Sequence, residues 1–383
     1  MSEWKEYSLE EITEPIKEAY IPTGNDSLFY IGLEHIEQES LRLNSIGKST
    51  DVTSNKFKFI QDDVLFGKLR PYFRKVVKPN FSGICSTDIW VLRAKKKINQ
   101  NFLFYFIANW DFVNLSNSGE GGTRMPRADW NYLKQTRWTI PSPKEQTAIA
   151  SVLSSLDDKI DLLHRQNATL EKIAETLFRQ WFVEEAKEEW KIVKVGDFVS
   201  TNTSTVDKRY PHKLIEYLDT SSLNKGMIDE LQSLNLPDAP SRAKRLVKHN
   251  DILISTVRPD QNHFGILKNP KYNIVVSTGF CVISCEKIGP HFIYLLLTND
   301  EMTEFLHSIA EGSTSTYPSL KPSDIEKIEF LLPPTEKLIE FENICTIYWD
   351  KIESNQTQIR TLTALRDTLL PKLMNGEVRV NQG

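Results

Sequence analysis

Cysteine is scarce in these 383 residues. Cys85, Cys281, Cys285 and Cys345 are too few and too scattered for a disulfide framework, and they fit a reducing compartment. No apolar run approaches the ~20 residues of a membrane span. The opening MSEWKEYSLEE is acidic and has no signal-type apolar core. A cytoplasmic protein that does not enter a membrane is therefore expected. Excess positive charge is also missing. The net charge of −4 speaks against a protein that coats nucleic acid indiscriminately. The chain carries +2 over residues 1–143 and −2 over residues 187–334, so any nucleic-acid site has to be local.

Signatures of catalysis are absent too. Gly47-Lys48-Ser49 has the end of a phosphate loop, but Arg42 stands where its first glycine is required. Gly119-Glu120-Gly121-Gly122 follows a helical stretch rather than a strand, so it is no dinucleotide fingerprint. No Asn/Asp-Pro-Pro-Tyr/Phe run of an amino-methyltransferase occurs, and no Ser/His/Asp or paired-carboxylate set is brought together by the sequence itself. Asp157-x-Lys159 and Glu185-x-Lys187 have a nuclease-like spacing, but a solvated helical face explains them. Cys281 and Cys285, with His263 and His291 nearby, suggest a metal only until VVSTGFCVISC is read as a buried strand.

What the chain does have is a long helical stretch, residues 144–185, uninterrupted by glycine or proline. Alternating steps of four and three residues pick out Ile149, Leu153, Leu156, Ile160, Leu163, Asn167, Leu170, Ala174, Leu177 and Trp181. Only Asn167 breaks this apolar seam, and a lone buried asparagine at such a position fixes register. The same seam returns 192 residues later as Phe341, Cys345, Tyr348, Ile352, Asn355, Ile359, Leu362, Arg366, Leu369 and Leu373, and Asp158-Lys159-Ile160 recurs as Asp350-Lys351-Ile352. Two such helices are expected to pair as an antiparallel coiled coil. At 1.5 Å per residue a helix of ~35 residues is about 50 Å long, somewhat more than one turn of B-DNA.

The segments before the two helices also repeat. Trp4 is echoed by Trp190, and Asp63-Val64-Leu65-Phe66 by Asp251-Ile252-Leu253-Ile254. Leu69-Arg70-Pro71 returns as Val257-Arg258-Pro259, and Ser86-Thr87-Asp88 as Ser277-Thr278-Gly279. Each half then has an apolar helix, a loop of small residues and a proline turn, Ser142-Pro143 or Pro333-Pro334, which starts a helix at no hydrogen-bond cost. A repeat this long is a duplicated module, not a solenoid unit. The expected architecture is α+β: two mixed α/β recognition globules, residues 1–143 and 187–334, separated by two long antiparallel helices, residues 144–186 and 335–383 with the tail, as a pseudo-twofold dumbbell.

The richest basic patch is Lys68-Leu69-Arg70-Pro71-Tyr72-Phe73-Arg74-Lys75-Val76-Val77-Lys78, with five basic residues, no acid and two interleaved aromatics. Such cations neutralise phosphate, and arginine also reads guanine O6 and N7 bidentately. At the equivalent place the second half carries Arg258-Pro259-Asp260-Gln261-Asn262-His263, with less charge and with amides suited to adenine N6 and N7. Arg242, Lys244, Arg245 and Lys248 form a second basic cluster. The loops holding Arg124 and Arg127, and Ser313, Thr314 and Tyr317, are placed to donate to phosphate. A solvated surface accounts for any one of these clusters alone, but recurrence in position with a change in composition is what two readers of different sequences need. Trp110, Trp130, Trp138, Trp181 and Trp349 are expected in the core rather than against bases.

These features together resemble the specificity subunit of type I restriction–modification systems over nearly the whole chain. The resemblance rests on Asp63-Val64-Leu65-Phe66-Gly67-Lys68-Leu69-Arg70-Pro71-Tyr72 with its echo at Asp251–Pro259, on Ile140-Pro141-Ser142-Pro143-Lys144-Glu145-Gln146, and on the tail Leu369-Leu370-Pro371-Lys372-Leu373-Met374-Asn375-Gly376-Glu377-Val378. Ser142 stands where proline is usual and Lys337 where glutamine is usual. The resemblance implies a non-catalytic chain that binds double-stranded DNA and no cofactor of its own. It implies docking of two methyltransferase subunits, which use S-adenosylmethionine to methylate adenine N6, and of translocase–nuclease subunits, which use ATP and Mg²⁺. Outward residues such as Asp161, Arg165, Lys172 and Arg179 are candidates for meeting those partners. Two other classes compete: a free-standing DNA-binding scaffold that dimerises through its coil, distinguishable by mass, and an enzyme active without any partner.

Overall fold

The computed structural model describes residues 4–25, 27–118, 125–228, 230–312 and 319–380. The chain divides into two compact units, Met1–Leu162 with Gln358–Gly383, and Leu163–Thr357. Among the described residues no helix is long and apolar enough to cross a membrane.

In the first unit the strand Lys5–Ser8 pairs antiparallel with Arg137–Ile140, so the globule is closed by its own two ends. Its inner sheet has the order Thr13–Ile16, Ile89–Ala94, Val64–Gly67, Val76–Val77, all antiparallel. Val64–Gly67 is buried along its whole length, which its unbroken Val-Leu-Phe run requires. A second sheet runs Ala19–Tyr20, Lys56–Phe59, Gly83–Ser86, Phe29–Ile31, Gly47–Lys48, with one parallel pairing between Phe29–Ile31 and Gly83–Ser86. The helix Gln100–Ala108 buries seven consecutive residues, Phe102 to Ala108, and is followed at once by Trp110–Asn117.

The second unit repeats this plan. Ile192–Lys194 pairs with Glu329–Leu331. The inner sheet runs Val199–Thr201, Phe280–Cys285, Ile252–Ser255, Phe264–Ile266. The outer one runs Gln232–Asn235, Leu214–Leu218, Ile274–Ser277, Ala243–Leu246, again with a single parallel pair. Helices Pro290–Thr298 and Asp300–Glu311 take the places of the first unit's pair. Mixed α/β globules were expected from the sequence, and each unit has one.

The first long helix is Pro143–Arg179, continued by a wider turn over Gln180–Glu184. The second is Thr335–Met374 and runs through Pro371. Their ends are built into the cores. Ile149, Ala150 and Leu153 share the first unit's core with Leu370, Leu373 and Met374. Ala174, Phe178 and Phe182 share the second unit's core with Phe341, Cys345 and Ile352. Of the seam residues, Leu153, Ile160, Leu163, Asn167, Ile352 and Asn355 are buried, whereas Leu156, Leu170, Tyr348, Ile359 and Leu362 are half-buried. In the second unit Asn355 Nδ2 donates to Asn167 Oδ1 at 2.8 Å. In the first, Arg366 donates to Asp157 Oδ1 at 2.9 Å, and Tyr105 donates to Asp157 Oδ2 at 2.7 Å. The expected lone polar seam residue therefore has a partner that is itself an asparagine.

The proline turn into the first helix is more than a start signal. Glu145 is buried, accepting from Trp4 Nε1 at 3.0 Å and from Arg379 at 3.2 Å. Gln146 is buried beside it, accepting from the Asn99 backbone at 2.7 Å and donating to the Pro141 carbonyl at 2.9 Å. Lys337 holds the corresponding place in the second unit and donates to Glu185 at 3.0 Å. At Lys337 the second unit thus replaces the neutral, buried amide of Gln146 with a cation paired to Glu185.

Candidate nucleic-acid interface

Both units build the same turn from the end of an inner-sheet strand. After Val64–Gly67 the chain makes a one-turn helix over Pro71–Phe73, with Arg70 at φ +52° and Arg74 at φ +47° on either side. After Ile252–Ser255 it does the same over Pro259–Gln261, between Arg258 at φ +49° and Asn262 at φ +57°. Proline fixes the first position of the turn. Left-handed conformations at both ends are costly for side chains other than glycine or asparagine, so surrounding contacts must hold them.

In the first unit those contacts gather three segments. The Arg70 N–H donates to the Pro126 carbonyl at 2.8 Å, the Ala128 N–H to the Lys68 carbonyl at 2.9 Å, and the Lys68 N–H to the Asp88 carbonyl at 2.9 Å. Lys68, Arg70, Tyr72 and Arg127 therefore share a rim with Asp88, whose carboxylate lies 3.4 Å from Arg127. The Arg70 guanidinium lies 6.0 Å from the centre of the Phe73 ring, and Tyr72 packs edge-on against Phe73 with its own ring exposed. The rim offers three cations and one exposed aromatic, which suits phosphate contact and base-edge reading.

Two residues of the basic patch point elsewhere. Arg74 is buried, its Nε donating to the Ala108 carbonyl at 2.7 Å and a terminal nitrogen to Asp367 at 3.2 Å. Burial holds its guanidinium below the ordinary range, while Asp367 pulls the other way. Lys75 Nζ donates to the Leu33 carbonyl at 2.6 Å, and burial lowers its pKa. Both brace the turn. An alternation of charged and apolar residues in sequence does not reveal this, because the turn reverses the chain between Arg70 and Arg74.

In the second unit the Thr256 N–H donates to the Gly279 carbonyl and the Thr278 N–H to the Arg242 carbonyl, both at 2.8 Å. Leu320 N–H donates to the Thr256 carbonyl at 2.7 Å. Arg242 so joins the rim of Arg258 and Gln261, and all three are exposed. A side chain at Gly279 would meet Thr220 at 2.8 Å and Arg242 at 3.1 Å, so glycine is what lets Arg242 lie there. Lys244 is exposed and Arg245 half-buried on the strand Ala243–Leu246. His263 Nδ1 lies 2.8 Å from the Leu223 carbonyl and is turned inward, and Asn262 is half-buried. His307 Nδ1 lies 3.3 Å from Asp260 and steadies the turn from the neighbouring helix. Arg124, Ser313, Thr314 and Tyr317 lie outside the described residues.

Sequence reasoning did not assign Asp88, Thr278 and Gly279 to the interface. Their signal was present, since Ser86-Thr87-Asp88 and Ser277-Thr278-Gly279 repeat in step with the turn. The residues weighed for a metal are engaged otherwise. Burial pushes the thiols of Cys281 and Cys285 up to about 12, which opposes the thiolate a metal needs, and His291 Nδ1 lies 2.7 Å from Glu342. Among the described residues no group of three His, Cys, Asp or Glu is placed to hold a metal ion. On the long helices Asp161 lies 2.9 Å from Arg42, Lys172 3.0 Å from Glu175 and Arg179 3.2 Å from Glu184.

The family model of the type I restriction modification DNA specificity domain matches residues 1–172 and again residues 187–364. The type I restriction enzyme MjaIX specificity subunit of Methanocaldococcus jannaschii is 29% identical over 317 residues, 75% of this chain and 71% of that one. The HindI specificity subunit of Haemophilus influenzae is 23% identical over 463 residues, 99% of this chain and 100% of that one. The crystal structure of the S subunit from M. genitalium has a similar fold, with a TM-score of 0.57 at 14% identity, covering 99% of this chain and 97% of that one.

Proposed function

The chain belongs to the type I restriction–modification DNA specificity family, whose role is to recognise a DNA sequence within a restriction–modification complex rather than to act on it chemically, and we propose that it reads a bipartite, asymmetric duplex, one half-site per globule. Residues 1–143 meet one half and residues 187–334 the other. The long helices pair antiparallel as a coiled coil and set the unread gap. The contacts of Asn355 with Asn167 and of Arg366 with Asp157 support this, since a shift in register would separate each pair.

One observation carries the reading. The same turn with left-handed ends occurs in both units, yet it presents Lys68, Arg70 and Tyr72 in one and Arg258, Asp260 and Gln261 in the other. A common frame with different chemistry at its tip gives two readers of different bases. In this role the chain docks two methyltransferase subunits. They bind S-adenosylmethionine and flip the target adenine out of the stack before methylating it. Translocase–nuclease subunits using ATP and Mg²⁺ join for restriction.

Arg70→Ala and Arg258→Ala test the reading. Each variant is expected to lose about 1–3 kcal/mol on its own half-site, with relaxed preference there and none lost at the other half. Uniform loss across all sequences would assign these side chains to phosphates instead. Unchanged binding would remove the turns from the interface.

A further inference from the structure

The two turns share a backbone but not an anchor. In the first unit the far end of the turn is Arg74, an arginine in a left-handed conformation and almost fully buried. Its guanidinium lies 5.2 Å from the centre of the Trp110 ring, donates to the Ala108 carbonyl, and reaches Asp367 on the second long helix at 3.2 Å. Arg366, buried next to Asp367, donates to the Ser40 carbonyl at 3.1 Å and to Asp157 at 2.9 Å. Burial lowers the Arg366 pKa, and Asp157 and Asp367 more than offset it. Two guanidinium groups and two carboxylates therefore balance in charge, as buried ions must.

In the second unit Asn262 stands in place of Arg74. Asparagine accepts the left-handed conformation readily, and its Nδ2 donates to the Asp260 carbonyl at 3.1 Å, inside the turn itself. The helix position matching Asp367 is Glu175, which is exposed and pairs with Lys172 on its own helix. The Asn262 side chain thus closes its end of the second turn locally, whereas Arg74 ties the first to a helix almost three hundred residues away in sequence.

We propose that Asp367, acting through Arg74, is a positioning residue for reading of the first half-site. The ionic tether makes the pose of Lys68, Arg70 and Tyr72 depend on the seating of the second long helix, a dependence that Asn262 does not carry over to the second turn. The proposal rests on the reading of the Arg70 turn as a DNA contact.

The test uses the full-length chain with its methyltransferase partner and duplexes carrying the target intact or scrambled in one half. Asp367→Asn keeps the shape and removes the charge, and Asp367→Glu keeps the charge. Asp367→Asn is expected to reduce discrimination against a scrambled first half by about tenfold, the loss of roughly one good base contact, with discrimination at the second half unchanged. Asp367→Glu is expected to retain it. Equal loss at both halves, or a lower melting temperature with both discriminations intact, would make Asp367 part of the folding core only and overturn the proposal. Arg70→Ala measured in parallel separates the two levels. If it weakens the first half and Asp367→Asn does not, the tether alone fails. If Arg70→Ala has no effect, the turn is not the reader and the functional reading fails with it.

Discussion

At the scale of single residues, exposure and charge do not assign roles in this protein. Lys68, Arg70, Arg74 and Lys75 lie within eight residues of one another, yet Arg70 is on the rim while Arg74 and Lys75 face inward to carbonyl groups. The sequence made the patch legible but not its division, because the sign of φ at Arg70 and Arg74 decides it and no propensity of arginine foretells that sign. The thiols are the reverse case, where a residue type alone indicates the environment. Burial pushes Cys85, Cys281, Cys285 and Cys345 all up to about 12. The folded protein at neutral pH is therefore expected to resist alkylation at every cysteine and to react at all four in denaturant. A fast-reacting thiol in the native state, counted by mass spectrometry, would contradict this.

At the scale of elements, burial follows the seam only in part: Leu153, Ile160, Leu163 and Ile352 are buried, whereas Leu156, Leu170, Tyr348, Ile359 and Leu362 are half-buried. Its polar positions were only half legible. Asn167, Asn355 and Arg366 stood out as breaks in the apolar pattern, but sequence alone does not say that Asn167 meets Asn355 or that Arg366 meets Asp157. Asn355→Leu leaves the Asn167 amide buried without its partner and is expected to cost about 1–3 kcal/mol in denaturant unfolding. Asn167→Leu with Asn355→Leu is expected to recover that loss while loosening the register. A single variant as stable as the parent would contradict the pairing. Glu171 on the first long helix gives a pH signature. Burial, helped by Glu175, raises its pKa from 4.5 to about 7. A carboxyl raised in the folded state contributes stability that is full below the unfolded value and lost as pH rises through the folded one. Glu171→Gln should therefore stabilise the protein at pH 8 relative to its effect at pH 4, and flatten the change between about 4.5 and 7. Equal effects of the substitution at both pH values would rule out the shift.

At the scale of the whole molecule, duplication was the most informative feature of the sequence. It indicated two globules of one plan, and the inner sheets, the parallel strand pair and the closing two-stranded sheet do recur unit for unit. The strand order was not legible, since short apolar runs do not say which neighbour they pair with. Duplication also leads to the proposal that one chain carries two independent readers. Replacing residues 1–143 with the corresponding segment of another specificity subunit should change one half of the target and leave the other half and the gap as they were. The most direct measurement is a map of methylated adenines in DNA from cells carrying this chain and its methyltransferase partner. A split motif is expected, two short unlike half-sites at a fixed separation. A continuous motif, or no methylation with a functional partner present, would contradict it.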